Sequence, residues 1–163
     1  MNRPERPGRH PTRTLSGVQI NGSHTFTAPP ETVFAALVDP GLIASTVPGV
    51  HDFHVESPNH WRCNVRLPVG PKVAFTFELV ERVDPSRARL LAKGKTLGGS
   101  VQVDTAFDLQ PTGSGGTLMH YTAHVTLSGL LGRLGDGALK PIGEHQVAGV
   151  MRTLERRIGD RGR

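Results

Sequence analysis

Apolar and polar residues alternate along most of this chain, with one short helical interruption and a helical period at the C-terminal end. In residues 18–27, VQINGSHTFT, one face collects Val18, Ile20, Gly22, His24 and Phe26, and the other collects Gln19, Asn21, Ser23, Thr25 and Thr27. Successive side chains of a strand point to opposite faces, so this is a half-buried strand. In residues 28–39, APPETVFAALVD, the spacing of Val33, Phe34 and Leu37 becomes helical. Pro29 or Pro30 suits the first turn of that helix, Glu31 favours its positive end, and Pro40 closes it. The stretch DPGLIASTVPGV, residues 39–50, has room for one further helical turn at 42–46. It is too apolar for an ordinary surface connector, with Leu42, Ile43, Val47 and Val50.

After Gly49 the strand period returns and predicts four or five strands in succession. The inward set is Trp61, Cys63, Val65 and Leu67 in residues 60–67, and Val73, Phe75, Phe77 and Leu79 in 72–83. A strand over 87–96 puts Arg87, Arg89 and Lys93 on a wet face. Residues 101–110 turn Val101, Val103, Thr105, Phe107 and Leu109 inward, and 117–128 do the same with Met119, Tyr121, Ala123, Val125 and Leu127. Turn chemistry separates these runs at PVGP (68–71), LGGS (97–100) and PTGSGG (111–116). A meander of antiparallel strands with one wet face is the economical arrangement.

Gly129 ends the alternation, and the period is helical from residue 130 to 158. Two stripes appear: Leu131, Leu134, Ala138, Ile142 and His145, then Val147, Val150, Met151, Leu154 and Ile158. They occupy different faces of a straight helix. Pro141 lies near their junction, which predicts a kink at 137–141. The fold class is therefore α+β: a curved antiparallel sheet wrapped around a long, kinked C-terminal helix, with two short helices after the first strand.

At 163 residues the chain suits one domain, placed at 16–159 between a disordered basic tail (1–15) and a short basic tail (160–163). No apolar run approaches the roughly 20 residues of a membrane span. The N-terminus lacks the apolar run of a secretory signal. Cys63, the one cysteine, fits a reducing cytoplasm. Much of the net charge of +5 comes from arginines near the two ends. Such tails allow at most peripheral contact with the inner face of a membrane. No basic strand face is interleaved with exposed aromatics, so nucleic acid is not an expected partner.

Reactive chemistry is sparse. His120 and His124 share the wet face of one strand but stand about 13 Å apart at roughly 3.3 Å per residue, too far to hold one metal ion. Neither CxxC nor HExxH is present, and no nucleophile elbow or phosphate loop is found. His24 alternates in phase with Ile20 and Phe26, as a hydrogen-bonded core residue, a polar anchor for a ligand, or a general base. Tyr121 and Trp61 also point inward, either as core or as polar contacts in a cavity.

The stretches INGSHTFTAPPETVFAALVDP, VPGV, GSVQVDTAFDLQP, GGTLMHYTAHVTLSG and LLGRLG resemble the carbon monoxide dehydrogenase G-subunit family. That family belongs to the START-like (SRPBCC, polyketide cyclase-like) superfamily, and the resemblance covers about residues 17–158. It implies a helix-grip fold around an elongated apolar cavity. It also implies a non-catalytic protein that binds a hydrophobic small molecule, a quinone or a lipid, beside a molybdenum hydroxylase of the carbon monoxide dehydrogenase type. No metal and no obligatory cofactor follow from it. In such a cavity the strands would contribute His24, Phe26, Trp61, Phe75, Phe77, Val103 and Tyr121. Leu97 would come from a turn, Leu42 and Val47 from the segment after the first helix, and Leu134, Ala138 and Ile142 from the long helix. Leu42, Ile43 and Val47 would then form a lid, or else simply plug the core. The alternative is a cyclase or dehydratase using the same cavity, with His24 or Tyr121 as acid or base.

Overall fold

The computed structural model describes residues 15–46, 49–66, 72–129, 132 and 136–161. Strand β1 (Leu15–Phe26) is followed by helices α1 (Pro30–Leu37) and α2 (Pro40–Thr46). Six strands come next: β2 (Val50–Ser57), β3 (His60–Arg66), β4 (Lys72–Val83), β5 (Arg87–Thr96), β6 (Gly99–Pro111) and β7 (Thr117–Gly129). Helix α3 (Asp136–Arg161) ends the fold. All pairings are antiparallel, in one curved sheet of order β1-β7-β6-β5-β4-β3-β2. The meander thus runs from β2 to β7, and β1 joins it beside the last strand.

The short helices form where their caps allow. Pro30 opens α1, with Glu31 in its first turn, and Val33, Phe34, Ala36 and Leu37 are buried. Asp39 caps α2: its Oδ1 accepts a hydrogen bond from the Leu42 N–H at 3.2 Å. Pro40 then occupies the first turn, where a missing N–H does no harm. Hydroxyls close the helix, Ser45 donating to the Leu42 carbonyl and Thr46 to that of Ile43.

Strand β2 has the weakest sequence signal. Its register with β3 slips twice, between His51 and His54 and between Val55 and Ser57, and Asp52 adopts a φ of 53°. β2 is an edge strand, and irregular pairing twists such an edge away from further strands.

Helix α3 spans Asp136–Arg161 and contains Pro141. The missing proline N–H leaves the Gly137 carbonyl without its i+4 donor. The second apolar stripe packs as expected, with Met151, Leu154 and Ile158 buried and Val147 and Val150 packed against the core. In the first stripe, His145 is exposed and is no part of a buried face. Leu131, Leu134, Val47, Leu67, the PVGP turn (68–71) and residues 1–14 and 162–163 lie outside the described residues. Leu15, expected in the N-terminal tail, belongs to β1, and residues 160–161, expected in the C-terminal tail, belong to α3. Ala138 and Ile142 fall within α3, and their side chains lie outside the described set. The helix runs along β1 and meets α1 and α2. Phe26, Val33, Met119, Leu154 and Ile158 are the largest of the deeply buried apolar side chains in the core between helices and sheet.

Candidate functional site

The inward face of the sheet is not evenly filled. At the end covered by α1, α2 and the second half of α3, Phe26 and Met119 are 1% and 0% exposed, and Leu79, Ala88 and Leu109 are buried beside them. Elsewhere, Phe75 and Phe77 of β4, Val101 and Val103 of β6 and Val125 of β7 point inward but are only half-buried. The ladder makes these residues neighbours: Val125 pairs with Val103, Val103 with Ala92, and Ala92 with Phe77. Phe75 and Val101 both pair with Gly94. The result is a contiguous apolar tract with accessible surface on its concave side.

Gly94 is needed there. A Cβ at this position would lie 2.7 Å from Phe75 and Val101 and 2.8 Å from Val73, closer than carbon atoms approach one another. The glycine lets three side chains converge over the strand. An aromatic run leads from the packed end into the tract: Trp61 stacks on Phe77 at 5.7 Å and 9°, and Phe77 on Phe75 at 5.7 Å and 28°.

Beside the tract, an opening of about 370 Å³ lies between β1 and α3. Ile20, Tyr121 and Val147 form its apolar part, and Asn21, Lys140 and Glu144 its polar part. Tyr121 is half-buried and lies across Gly22 of β1, its register partner.

His24 stands toward the packed end. Its ring meets Phe26 edge-on at 4.7 Å, and its Nε2, shielded from water, is 3.3 Å from Glu155 Oε2 of α3. That is ion-pair distance without hydrogen-bond alignment, and it ties β1 to the helix. Among the described residues, no three His, Cys, Asp or Glu side chains converge to hold a metal ion. Cys63 is buried, and burial pushes its thiol pKa up, away from reactive thiolate.

The structure places several expected cavity residues differently. Leu97 is 94% exposed at the β5–β6 hairpin, because strand alternation ends at the turn and nothing among the described residues folds back over it. Phe26 and Trp61 are buried in the solid core. Leu42, 8% exposed, belongs to the same core cluster, with Ile43 packed against it, so α2 fills the end of the sheet. Phe75, Phe77 and Val103 lie in the half-exposed tract and Tyr121 at the opening. Val101, Thr105 and Val125 join them; they share the inward phase of Val103, and alternation was their only signal.

Comparison with known proteins decides the family. The CoxG family model, which describes the G-subunit of carbon monoxide dehydrogenase, matches residues 22–159. The chain belongs to this family. The CoxG fold is shared with a conserved protein from Geobacillus kaustophilus, at a TM-score of 0.81 and 18% identity, over 88% of this chain and 96% of that one. It is also shared with a START superfamily protein from Mycobacterium smegmatis, at a TM-score of 0.71 and 14% identity, over 87% and 97% of the two chains. A 47-residue stretch is 43% identical to an uncharacterized GMC-type oxidoreductase of Rhodococcus erythropolis; it is 29% of this chain and spans only 10% of that protein. CoxG membership and a START-like fold support a hydrophobic ligand-binding accessory role in general terms. No described helix is long and apolar enough to cross a membrane.

Proposed function

We propose that residues 16–159 form a binding domain that carries an apolar small molecule, a quinone or a lipid, without transforming it. In this reading the protein is a cytoplasmic accessory factor to a molybdenum hydroxylase of the carbon monoxide dehydrogenase type. One observation carries the proposal: Phe75, Phe77, Val101, Val103 and Val125 face the inside of the sheet yet retain accessible surface. Apolar surface left open on a concave face is what a hydrophobic ligand would cover. Family membership supplies the redox setting.

Native mass spectrometry of the purified chain, with organic extraction of what it retains, tests the reading. An apolar ligand should be found, and Val103→Trp, which fills the tract, should abolish its retention. A wild-type protein that neither retains an apolar ligand nor takes up added quinone or phospholipid would overturn the proposal.

A cyclase- or dehydratase-like activity is the second reading, favoured by one contact. Glu155 Oε2 stands 3.3 Å from His24 Nε2, near enough for the carboxylate to accept an orienting hydrogen bond if the ring realigns on binding. This reading requires turnover of a polyketide-like substrate that His24→Gln abolishes while ligand retention persists.

A further inference from the structure

The outer face of the sheet carries a second depression, of about 610 Å³, across β2 to β5. It lies on the face away from Phe77 and Val103. Its floor is Ala74 and Thr76. Register sets Arg62 and Lys93 on either side of Thr76, and Asn64 and Lys95 on either side of Ala74. Two short side chains between rows of longer ones leave a trough along β4.

Charge is balanced along part of β5 and unbalanced along the rest. Arg87 donates to Asp108 Oδ1 at 3.1 Å, and Arg89 grips Asp104 with two hydrogen bonds of 2.9 and 2.6 Å. Further along, Lys93 and Lys95 face Gln102 and Ser100 on β6. Among the described residues neither lysine forms an ion pair. Arg62 lies 3.3 Å from Glu56. The β2 wall holds His54 and Asp52, whose carboxylate accepts a hydrogen bond from Asn64 at 3.0 Å and lies 3.7 Å from His51. The β5 wall is thus positive and uncompensated, while the one carboxylate lining the trough is already engaged.

We propose that this trough docks an extended acidic segment of a partner protein along its Lys93–Lys95 wall. The two ammonium groups project from one face two residues apart, about 6.6 Å along the strand. That is also the spacing of same-face carboxylates in an extended acidic peptide. A discrete phosphate fits less well, because the floor is paired sheet whose N–H groups are spent on the ladder. Single-stranded nucleic acid would want a series of exposed aromatics to stack successive bases, and Phe75 is the one Phe, Tyr or Trp that lines the trough. A flat anionic bilayer would not reach a recessed floor. The proposal goes beyond the cavity reading and does not depend on it, since Lys93 and Lys95 project from the face opposite Val103, although Phe75 borders both sites.

The test is fluorescence anisotropy of a labelled deca-glutamate peptide with the full chain at low ionic strength. Parallel titrations use phosphatidylglycerol vesicles and oligothymidylate. Lys93→Gln/Lys95→Gln should weaken peptide binding about fivefold or more, and the wild-type affinity should fall with salt. Arg156→Gln/Arg157→Gln removes the same charge from exposed positions on α3 and should change binding by less than about twofold. Both variants should keep the wild-type melting curve and uptake of an apolar dye, which separates loss of the trough from loss of the cavity. Three results would each overturn the proposal: no saturable peptide binding by wild type, equal losses in the two variants, or a lysine effect larger on vesicles or oligothymidylate than on peptide.

Discussion

Gly22 and Tyr121 are cross-strand partners in β1 and β7, and the Tyr121 phenol lies over the Gly22 backbone, where a side chain would otherwise stand. The ring borders the opening between β1 and α3, so the lack of a side chain on one strand sets the position of a polar group on the next. Gly22→Ala should displace the ring and cost about 1–2 kcal/mol, as overpacking does. In a Tyr121→Ala background the same change should be neutral or stabilising by about 0.4–1 kcal/mol, because alanine restricts the unfolded chain. Urea unfolding of the four chains closes the cycle. Equal effects in both backgrounds would mean that the ring does not depend on the glycine.

Gly94 makes a stricter demand, since Phe75, Val101 and Val73 all converge on it. Gly94→Ala should destabilise by about 1–3 kcal/mol and reduce uptake of an apolar fluorescent probe, because Phe75 must swing into the tract. Gly113→Ala is the control. Nothing lies within 4 Å of a Cβ there, and its effect should stay within about 0.5 kcal/mol.

Leu42 sits among the buried residues of the core, 8% exposed. Leu42→Ala should cost about 2–4 kcal/mol in chemical denaturation, the range for truncating a core leucine. Gln102→Ala, on the wet face, should change stability by less than about 0.5 kcal/mol. A Leu42→Ala protein of wild-type stability that had lost ligand retention would instead make this residue a lid.

Cys63, 5% exposed, has its thiol pKa raised by burial. The folded protein should react slowly with a thiol-specific disulfide reagent at neutral pH, and denaturant should restore the rate of a free cysteine. The folded thiol stays protonated longer than the unfolded one, so its contribution is complete below the unfolded pKa of about 8.5. It is lost as pH rises beyond that value. Cys63→Ala should flatten the alkaline limb of a plot of stability against pH.

Asp104 behaves in the opposite sense. The hydrogen bonds from Arg89, helped by its charge, hold the Asp104 carboxyl below its usual pKa. Its contribution is present above the unfolded value of about 3.9 and disappears as pH falls through the lower folded value. Asp104→Asn should therefore lower stability at pH 7 and leave a shallower acid limb, measured by thermal melting across the acid range.

Much of the fold was legible in the chain because alternation is a property of backbone geometry. It assigned Trp61, Val73, Leu79, Met119 and Leu127 to the inside and Arg87, Arg89 and Lys93 to the outside, and each is where its phase put it. The stripe Met151, Leu154 and Ile158 followed in the same way from the helical period. The weak signal of β2 has a local cause, since its slipped register breaks the alternation. The site was legible only in part. Period two says that Phe26 and Val103 point the same way, but not that α1 and α3 cover the first closely while the second keeps accessible surface.

The sequence by itself determined which residues could be core, where the β5–β6 and β6–β7 connections turn, and the family to which the chain belongs. Only the tertiary structure decided what stands opposite each of them. It set β1 beside β7, Glu155 beside His24, Leu97 in solvent, and Lys93 and Lys95 across β4 from Arg62 and Asn64. Direction is encoded in each residue's own backbone and its neighbours along the chain. Contact depends on segments distant in sequence, and no local pattern records them.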